Sequence, residues 1–388
     1  MDLKTRLVRL YHVLPSEGRE SMERYGWGLA AAIDQHVPEF RAINVTYDAS
    51  AAAPGVRRFA RLIRSYQRYV DFPMYARNGT ADVHHIIDHS YGHLVHLLEP
   101  RRTVATCHDL IMLKMRDGVV PGTKPSWSRL LLFQLSVSSL RRCRLLLADS
   151  HSSMRDFANY LNIDPSRFRV VYLGIDPKFR APSVAEIGQA RQSLGLSASS
   201  QELLLNVSTG ANYKNTEGSI RTLAQIVAAG RNNVSLLRVG HSLNAAQNAL
   251  AQSLGVRNRI IDLGKLPEHK IQYAYWVATA LLFPSYYEGF GWPVLEAMAC
   301  GTPVVASDTP TLLEVGGGIP DSLPADDAWG MARAVLRLFN DGALRAQKIE
   351  HGHKWAQEFT WERTAIQTSA VYAEVAEAAD ARTHVRDQ

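Results

Sequence analysis

Short apolar runs rich in β-branched residues recur along this chain, separated by longer stretches in which apolar residues return every three or four positions. The short runs predict strands at Leu7–Leu14, Ile43–Tyr47, Val83–Ile87, Thr103–Cys107, Leu145–Ala148 and Val170–Tyr172. A second series follows at Leu203–Val207, Val234–Val239, Ile260–Leu263, Ala280–Phe283 and Pro303–Ala306. Near-continuous apolar strands alternating with helical segments imply parallel sheets covered on both faces. Two such series predict an α/β chain of two doubly wound, Rossmann-like domains facing a central cleft. Asp176-Pro177 and Ala181-Pro182-Ser183 break the rhythm between them. The expected domains are 1–180 and 181–360, with a C-terminal helical segment at 361–388 that frays after Ala379.

Composition narrows the class without naming a function. The chain has 388 residues, 46% apolar and 21% charged, which suits packed globular domains and excludes a disordered or collagen-like chain. Cys107, Cys143 and Cys300 lie far apart, so neither a disulfide framework nor a zinc knuckle is indicated. Met1–Arg6 lacks the apolar run of a signal peptide, and no window approaches the ~18 apolar residues of a membrane span. A cytoplasmic chain is expected, free or held peripherally at the inner face of the membrane. Its charge is uneven: residues 1–190 carry 26 Lys and Arg against 18 Asp and Glu, the remainder 17 against 19. The two halves should therefore meet different partners.

Chemistry concentrates after the predicted strand Ala280–Phe283. The segment Pro284-Ser-Tyr-Tyr-Glu288-Gly289-Phe290-Gly291-Trp292-Pro293-Val-Leu-Glu296-Ala-Met-Ala-Cys-Gly301-Thr-Pro303 places a glycine-bearing loop before a short helix at 293–300. Pro293 suits its first turn and Gly301 the position just past its end. A helix N-terminus at the carboxyl rim of a parallel sheet binds phosphate through backbone N–H groups. Glu288 and Glu296 flank that anion site, and carboxylates accept hydrogen bonds from paired hydroxyls such as ribose or hexose diols. Phosphate between two sugar-binding acids describes a nucleotide sugar. An ordinary capped helix with Glu296 in solvent is the other reading of the same residues.

The run Ser-x-x-Glu-Gly-Phe-Gly-x-Pro-x-x-Glu-Ala-x-Ala-x-Gly-x-Pro-Val over 285–304 resembles the signature of glycosyltransferase family 4, whose members are retaining enzymes of the two-domain GT-B fold. The resemblance implies that Glu288 contacts donor-sugar hydroxyls and that Glu296 holds the nucleotide ribose. Backbone at Gly289, Phe290, Gly291 and Trp292 would meet sugar and diphosphate. Lys214, in Asn206-Val-Ser-Thr-Gly-Ala-Asn-Tyr213-Lys214-Asn215, stands on the same rim as a point charge for a diphosphate, although Tyr213 occupies the place of a usual second cation. Asp262-Leu-Gly-Lys-Leu266-Pro267 is similar to the family segment that lies against the base, with Leu266 packed on it. It reads equally well as a plain turn.

In the basic half, Cys107-His108-Asp109 resembles the family's His-Asp motif, which implies that His108 reaches toward the donor sugar while Asp109 orients or caps. Relatives carry a glycine-rich turn after the first strand. Here Glu20–Gly28 holds side chains instead, with Arg24 and Tyr25 kept in place as acceptor or loop candidates. Ser150 should cap a helix. The cluster His84, His85, Asp88, His89 and His93 has no metal-ligand spacing, and no metal or other cofactor is expected. Arg57, Arg61, Arg64 and Arg68 recur at helical spacing beside Phe59, Leu62, Ile63, Tyr66 and Tyr69, a face suited to an anionic membrane or simply to solvent. No nucleic-acid module accompanies the charge.

The expected activity is retaining transfer of a hexose, mannosyl-type as a first donor, from a nucleoside diphosphate sugar to a hydroxyl of a glycan or lipid-linked acceptor. Cell-surface polysaccharide biosynthesis is the expected setting. The segment from Trp361 should pack back on the first domain. A GT-B epimerase or phosphorylase, or a non-catalytic sugar-nucleotide-binding subunit, stays open as the alternative.

Overall fold

The computed structural model describes residues 5–47, 60–196 and 201–386, with side chains at 60–61 and 382–386 outside that description. The chain divides into two compact units. Unit 1 takes the chain up to Leu110, Pro125–Gly174 and the chain from Thr360; unit 2 takes Ile111–Lys124 and Ile175–Phe359. The division falls at Gly174 and not near 180. The excursion of Ile111–Lys124 into unit 2 was not expected from the sequence. Within that excursion Lys114 Nζ lies 5.9 Å over the ring of Tyr287.

Unit 1 contains one parallel six-stranded sheet, built from β1 (Arg6–Tyr11), β2 (Phe40–Val45), β3 (Val83–Ile86), β4 (Thr103–Cys107), β5 (Leu145–Ala148) and β6 (Phe168–Val170), in the order β2-β1-β3-β4-β5-β6. Every residue of β3, β4 and β5 is buried, as expected for strands covered by helices on both faces. The long helix Trp361–Arg386 packs on this unit. Within it Tyr372 OH meets His85 Nδ1 at 2.7 Å, and Thr364 Oγ1 donates to the Tyr172 carbonyl at 2.8 Å.

Unit 2 repeats the plan with β7 (Glu202–Ser208), β8 (Val234–Gly240), β9 (Ile260–Asp262), β10 (Ala280–Phe283), β11 (Val304–Ser307) and β12 (Asp321–Leu323), in the order β12-β11-β10-β7-β8-β9. Leu204, Leu236, Leu282 and Val305 from four of these strands meet Ile220, Leu223, Met331 and Val335 from the covering helices in one core. The order reverses between β7 and β10, so the crevice outside their carboxyl ends is the place where such a sheet binds ligands. The lysine and the two glutamates singled out in the sequence follow these two strands.

Candidate active site

The loop after β10 turns into the helix Trp292–Ala299 through Gly291, whose φ of 96° only glycine adopts freely. A Cβ there would also stand 2.5 Å from Leu312 Cδ2. Pro293 occupies the first turn, where its missing N–H costs nothing. Phe290 and Trp292 are buried and packed edge to face, 6.1 Å between centroids. Their rings therefore build the loop, which leaves main chain at Gly289–Gly291 and the positive end of the helix as the groups suited to an anion.

Lys214 and Glu288 meet directly. Nζ lies 2.7 Å from each carboxylate oxygen, with side-chain exposures of 15% and 8%. The lysine is further enclosed by the rings of Tyr213 and Phe283, 5.2 and 5.5 Å away. Two main-chain ties hold the partners in register. Tyr286 N–H donates to the Tyr213 carbonyl at 2.8 Å, and Thr311 Oγ1 donates to the Glu288 carbonyl at 2.9 Å. Asn215, left-handed at φ 52°, caps the next helix by accepting from Gly218 N–H, and its amide donates to the Pro284 and Ala325 carbonyls. Sequence reading passed over Thr311 and Asn215. The one signal was Asn at a helix start, a good cap that tolerates the left-handed region.

Glu296 is buried, and its Oε2 accepts from the hydroxyl of Tyr275 at 2.6 Å. The reading of a glutamate in solvent is thus corrected. Tyr275 is itself fully buried, is crossed edge to face by Phe179 at 5.8 Å, and accepts at its carbonyl from Thr302. This clasp fixes the carboxylate's direction, and nothing in the spacing of residues 275 and 296 announced it. Leu266 is half-buried in the turn after β9, which is tied to the end of β8 by Gly240 N–H donating to the Gly264 carbonyl.

At the rim of unit 1, His108 is buried, and both ring nitrogens face acceptors: Nδ1 lies 2.9 Å from Asp149 Oδ2, and Nε2 lies 2.8 Å from the Ile87 carbonyl. The carbonyl accepts only, so Nε2 carries hydrogen. Burial opposes charge on the ring, yet the hydrogen bond and charge of Asp149 outweigh it and raise His108 above the usual imidazole value. Burial likewise pushes the Asp149 carboxyl up to about 6. One proton stays in the bridge. With both nitrogens committed, this arrangement leaves His108 no atom for a sugar hydroxyl, contrary to the sequence expectation. Asp109 beside it is half-buried.

The glycine-poor stretch departs further from expectation. Glu20–Gly28 is not a loop but the start of the helix Glu20–His36, since side chains in place of glycines restore helix propensity. Tyr25 is buried against His108 and donates or accepts at Thr106 Oγ1, 2.9 Å away, while Arg24 is half-buried on the same helix. The loop that does follow β1 is pinned by charge. Arg19 reaches Asp88 at 2.7 Å, and Arg68 reaches Glu17 at 2.8 Å and the Ser90 carbonyl at 2.6 Å, with its guanidinium 4.3 Å over Tyr91.

Arg68 therefore cannot share an outer stripe with Arg64. A π-helix spans Gln67–Asp71, and Arg68 within it turns its guanidinium to Glu17 and Ser90. Arg57 lies outside the described residues, as does the Arg61 side chain. Leu62, Tyr66, Val70 and Met74 stand exposed along that segment, with Arg64 also exposed. Ser150 caps its helix through Ser153 N–H as expected. Among the described residues no three His, Cys, Asp or Glu are grouped to hold a metal ion. His84, His85 and His93 instead hydrogen-bond Tyr11, Tyr372 with Thr106, and Ser136 with the Arg68 carbonyl.

Two family profiles cover most of the chain: Glycosyltransferase Family 4 over residues 18–179, and Glycosyl transferases group 1 over 191–355. The O-antigen chain mannosyltransferase B of Escherichia coli is 28% identical over 284 residues, 72% of each chain. A D-inositol 3-phosphate glycosyltransferase of Acidothermus cellulolyticus is 27% identical over 69% of this chain, although the match spans only 61% of that relative's length. The crystal structure of Anabaena HepE in complex with UDP-glucose superposes with a TM-score of 0.71 at 17% identity, covering 95% of this chain and all of that one. With the signature on the rim of unit 2 and two doubly wound parallel sheets, the chain belongs to glycosyltransferase family 4 and has its two-domain GT-B fold.

Proposed function

We propose that this glycosyltransferase moves a hexose, with retention of anomeric configuration, from a nucleoside diphosphate sugar to a hydroxyl of a glycan or lipid-linked sugar. The observation that carries the reading is the Lys214–Glu288 pair, a half-buried lysine on a buried glutamate, at the switch point of unit 2, with the buried Glu296 on the helix that follows. A lysine already facing a carboxylate is a charge in waiting: a donor's diphosphate competes for Nζ, and Glu288 is then released to the sugar's hydroxyls. Lys214 and the helix dipole would stabilise the leaving diphosphate without a metal ion. The ribose diol would meet the Glu296 carboxylate, whose direction Tyr275 fixes. The O-antigen relative supports a mannosyl donor and a polysaccharide setting, and the UDP-glucose complex supports nucleotide-sugar binding by this fold. No described helix is long and apolar enough to cross a membrane. Peripheral contact is proposed through the exposed row Leu62, Tyr66, Val70 and Met74 beside Arg64.

Thermal shifts with GDP, UDP, dTDP and ADP should single out one base, because a ligand of the folded state raises its melting temperature. The corresponding sugar nucleotide and an acceptor should then give an α-linked product from an α-linked donor by NMR; an inverted product would refute retention. Glu296→Ala should weaken binding of that nucleoside diphosphate by about 10- to 100-fold, since a hydrogen bond to a charged group contributes about 1.5–3 kcal/mol. Unchanged calorimetric affinity would remove the ribose assignment.

A further inference from the structure

The amino ends of β4, β5 and β6 hold a second candidate site, on the sheet edge opposite His108. Parallel strands put these ends on one side, and the five residues of β4 separate them from the functional rim by about 15 Å at ~3.3 Å per residue. A concavity of ≈ 490 Å³ opens there, lined by Arg101, Arg142, Arg144, Arg167 and Arg169 around a floor of Cys143, Leu145, Ala378 and Ala379. That volume is of small-ligand size.

The charge of this basin is not balanced. Glu374 is the one acid in its lining, and it is used by Arg169, whose Nη2 meets both carboxylate oxygens at 2.9 and 3.0 Å. Arg167 spends its donors on main chain, at the carbonyls of Arg141, Cys143 and Arg144. These bonds pin the 141–144 turn and hold the guanidinium in place, but they neutralise nothing. The side chains of Arg101, Arg142 and Arg144 are exposed and form no ion pair or hydrogen bond with any described residue. Four cationic groups thus converge without carboxylates, three of them with every donor free.

We propose that this basin binds a phosphorylated anion carrying at least two negative charges. Guanidinium forks match the paired oxygens of phosphate, and several forks around a concave site favour a multiply charged oxyanion over a single carboxylate. A free diphosphate-bearing metabolite and the phosphomonoester headgroup of a lipid such as phosphatidic acid share that chemistry. The site is separate from the donor site of unit 2 and does not depend on the donor reading.

Inorganic pyrophosphate titrated calorimetrically into the full chain at low salt is the test. Wild type should show two sites. Lys214→Ala should lose the donor-side event and keep the other. Arg101→Gln/Arg142→Gln/Arg144→Gln should lose at least tenfold in affinity at the remaining one, with an unchanged melting temperature because these side chains hold nothing in the fold. Salt should weaken the event, as expected for exposed charges. In the Lys214→Ala background, competition by phosphatidic acid vesicles but not phosphatidylcholine vesicles assigns the lipid phosphate, and indifference to both assigns a soluble ligand. Pyrophosphate binding that is the same in the triple variant as in wild type overturns the proposal. Loss of all binding in Lys214→Ala alone overturns it too.

Discussion

Glu288→Gln is expected to lower kcat for sugar transfer by about 10²- to 10³-fold, the usual cost of removing one group aimed at the reacting centre. The substitution keeps shape and removes charge. In the present arrangement Glu288 holds Lys214 through both oxygens, with little solvent on either. An amide in its place leaves the lysine cationic and freer to meet a diphosphate. Affinity for the nucleoside diphosphate alone should therefore hold or improve while turnover collapses. That split separates a sugar-facing role from simple scaffolding, which would weaken both. Lys214→Ala should do the reverse, costing nucleotide affinity first. Because the two side chains touch, the double variant should fall short of the summed effects of the single ones. Turnover near wild type in Glu288→Gln would end the proposed division of labour.

Much of this arrangement could be read from sequence, for physical reasons that particular residues show. β4, β5 and β10 are runs such as Leu-Leu-Leu-Ala and Ala-Leu-Leu-Phe, buried on both faces, and were placed to the residue. β6 was misplaced by two residues, because Phe-Arg-Val puts an arginine mid-strand while the more apolar Val170-Val171-Tyr172 continues beyond the pairing. β12 was missed: Asp-Ser-Leu is an edge strand, only half-buried, with no apolar signal. The glycine-and-proline chemistry around Gly291 and Pro293 is local, so the loop-to-helix junction was legible. What could not be read are meetings of residues far apart in the chain. Lys214 and Glu288 are 74 residues apart, and Tyr275 and Glu296 are 21 apart. The arginine stripe failed for the same reason: Arg68 is drawn to Glu17 and Ser90, 51 and 22 residues away, which helical spacing alone does not announce.

Unit 1 should unfold in acid before unit 2, between about pH 6.5 and 4, the window set by the ordinary and the lowered values of its histidines. Burial brings His84, His89 and His93 down to about 4 and His85 to about 3, and it lowers His12 as well. Each rests neutral on a hydroxyl, carbonyl or amide oxygen, or among rings, and not on a carboxylate that would hold its proton, apart from His89 near Asp88. The unfolded chain takes up protons at these histidines as pH falls below 6.5, whereas the folded chain resists until near 4. The unfolded state then binds more protons, so stability is fully present above 6.5 and is lost on acidification. One such histidine costs about 3 kcal/mol by pH 4, at ~1.4 kcal/mol per pH unit per proton. Several together reach the ~5–15 kcal/mol that holds a domain folded. The described histidines of unit 2, His241, His269, His351 and His353, are exposed or half-buried, so the described part of that unit holds no buried imidazole. His108 acts with the opposite sign. Its raised value keeps the bridging proton to Asp149 in place, and the stability it adds is lost as pH rises above 6.5. Urea unfolding followed by circular dichroism from pH 4 to 9 should thus show a maximum near neutrality and a two-step loss on the acid side. Imidazole NMR titrations should find His84, His85, His89 and His93 neutral down to pH 5. If they titrate near 6.5 in the folded chain, burial does not hold them neutral and the acid transition has another origin.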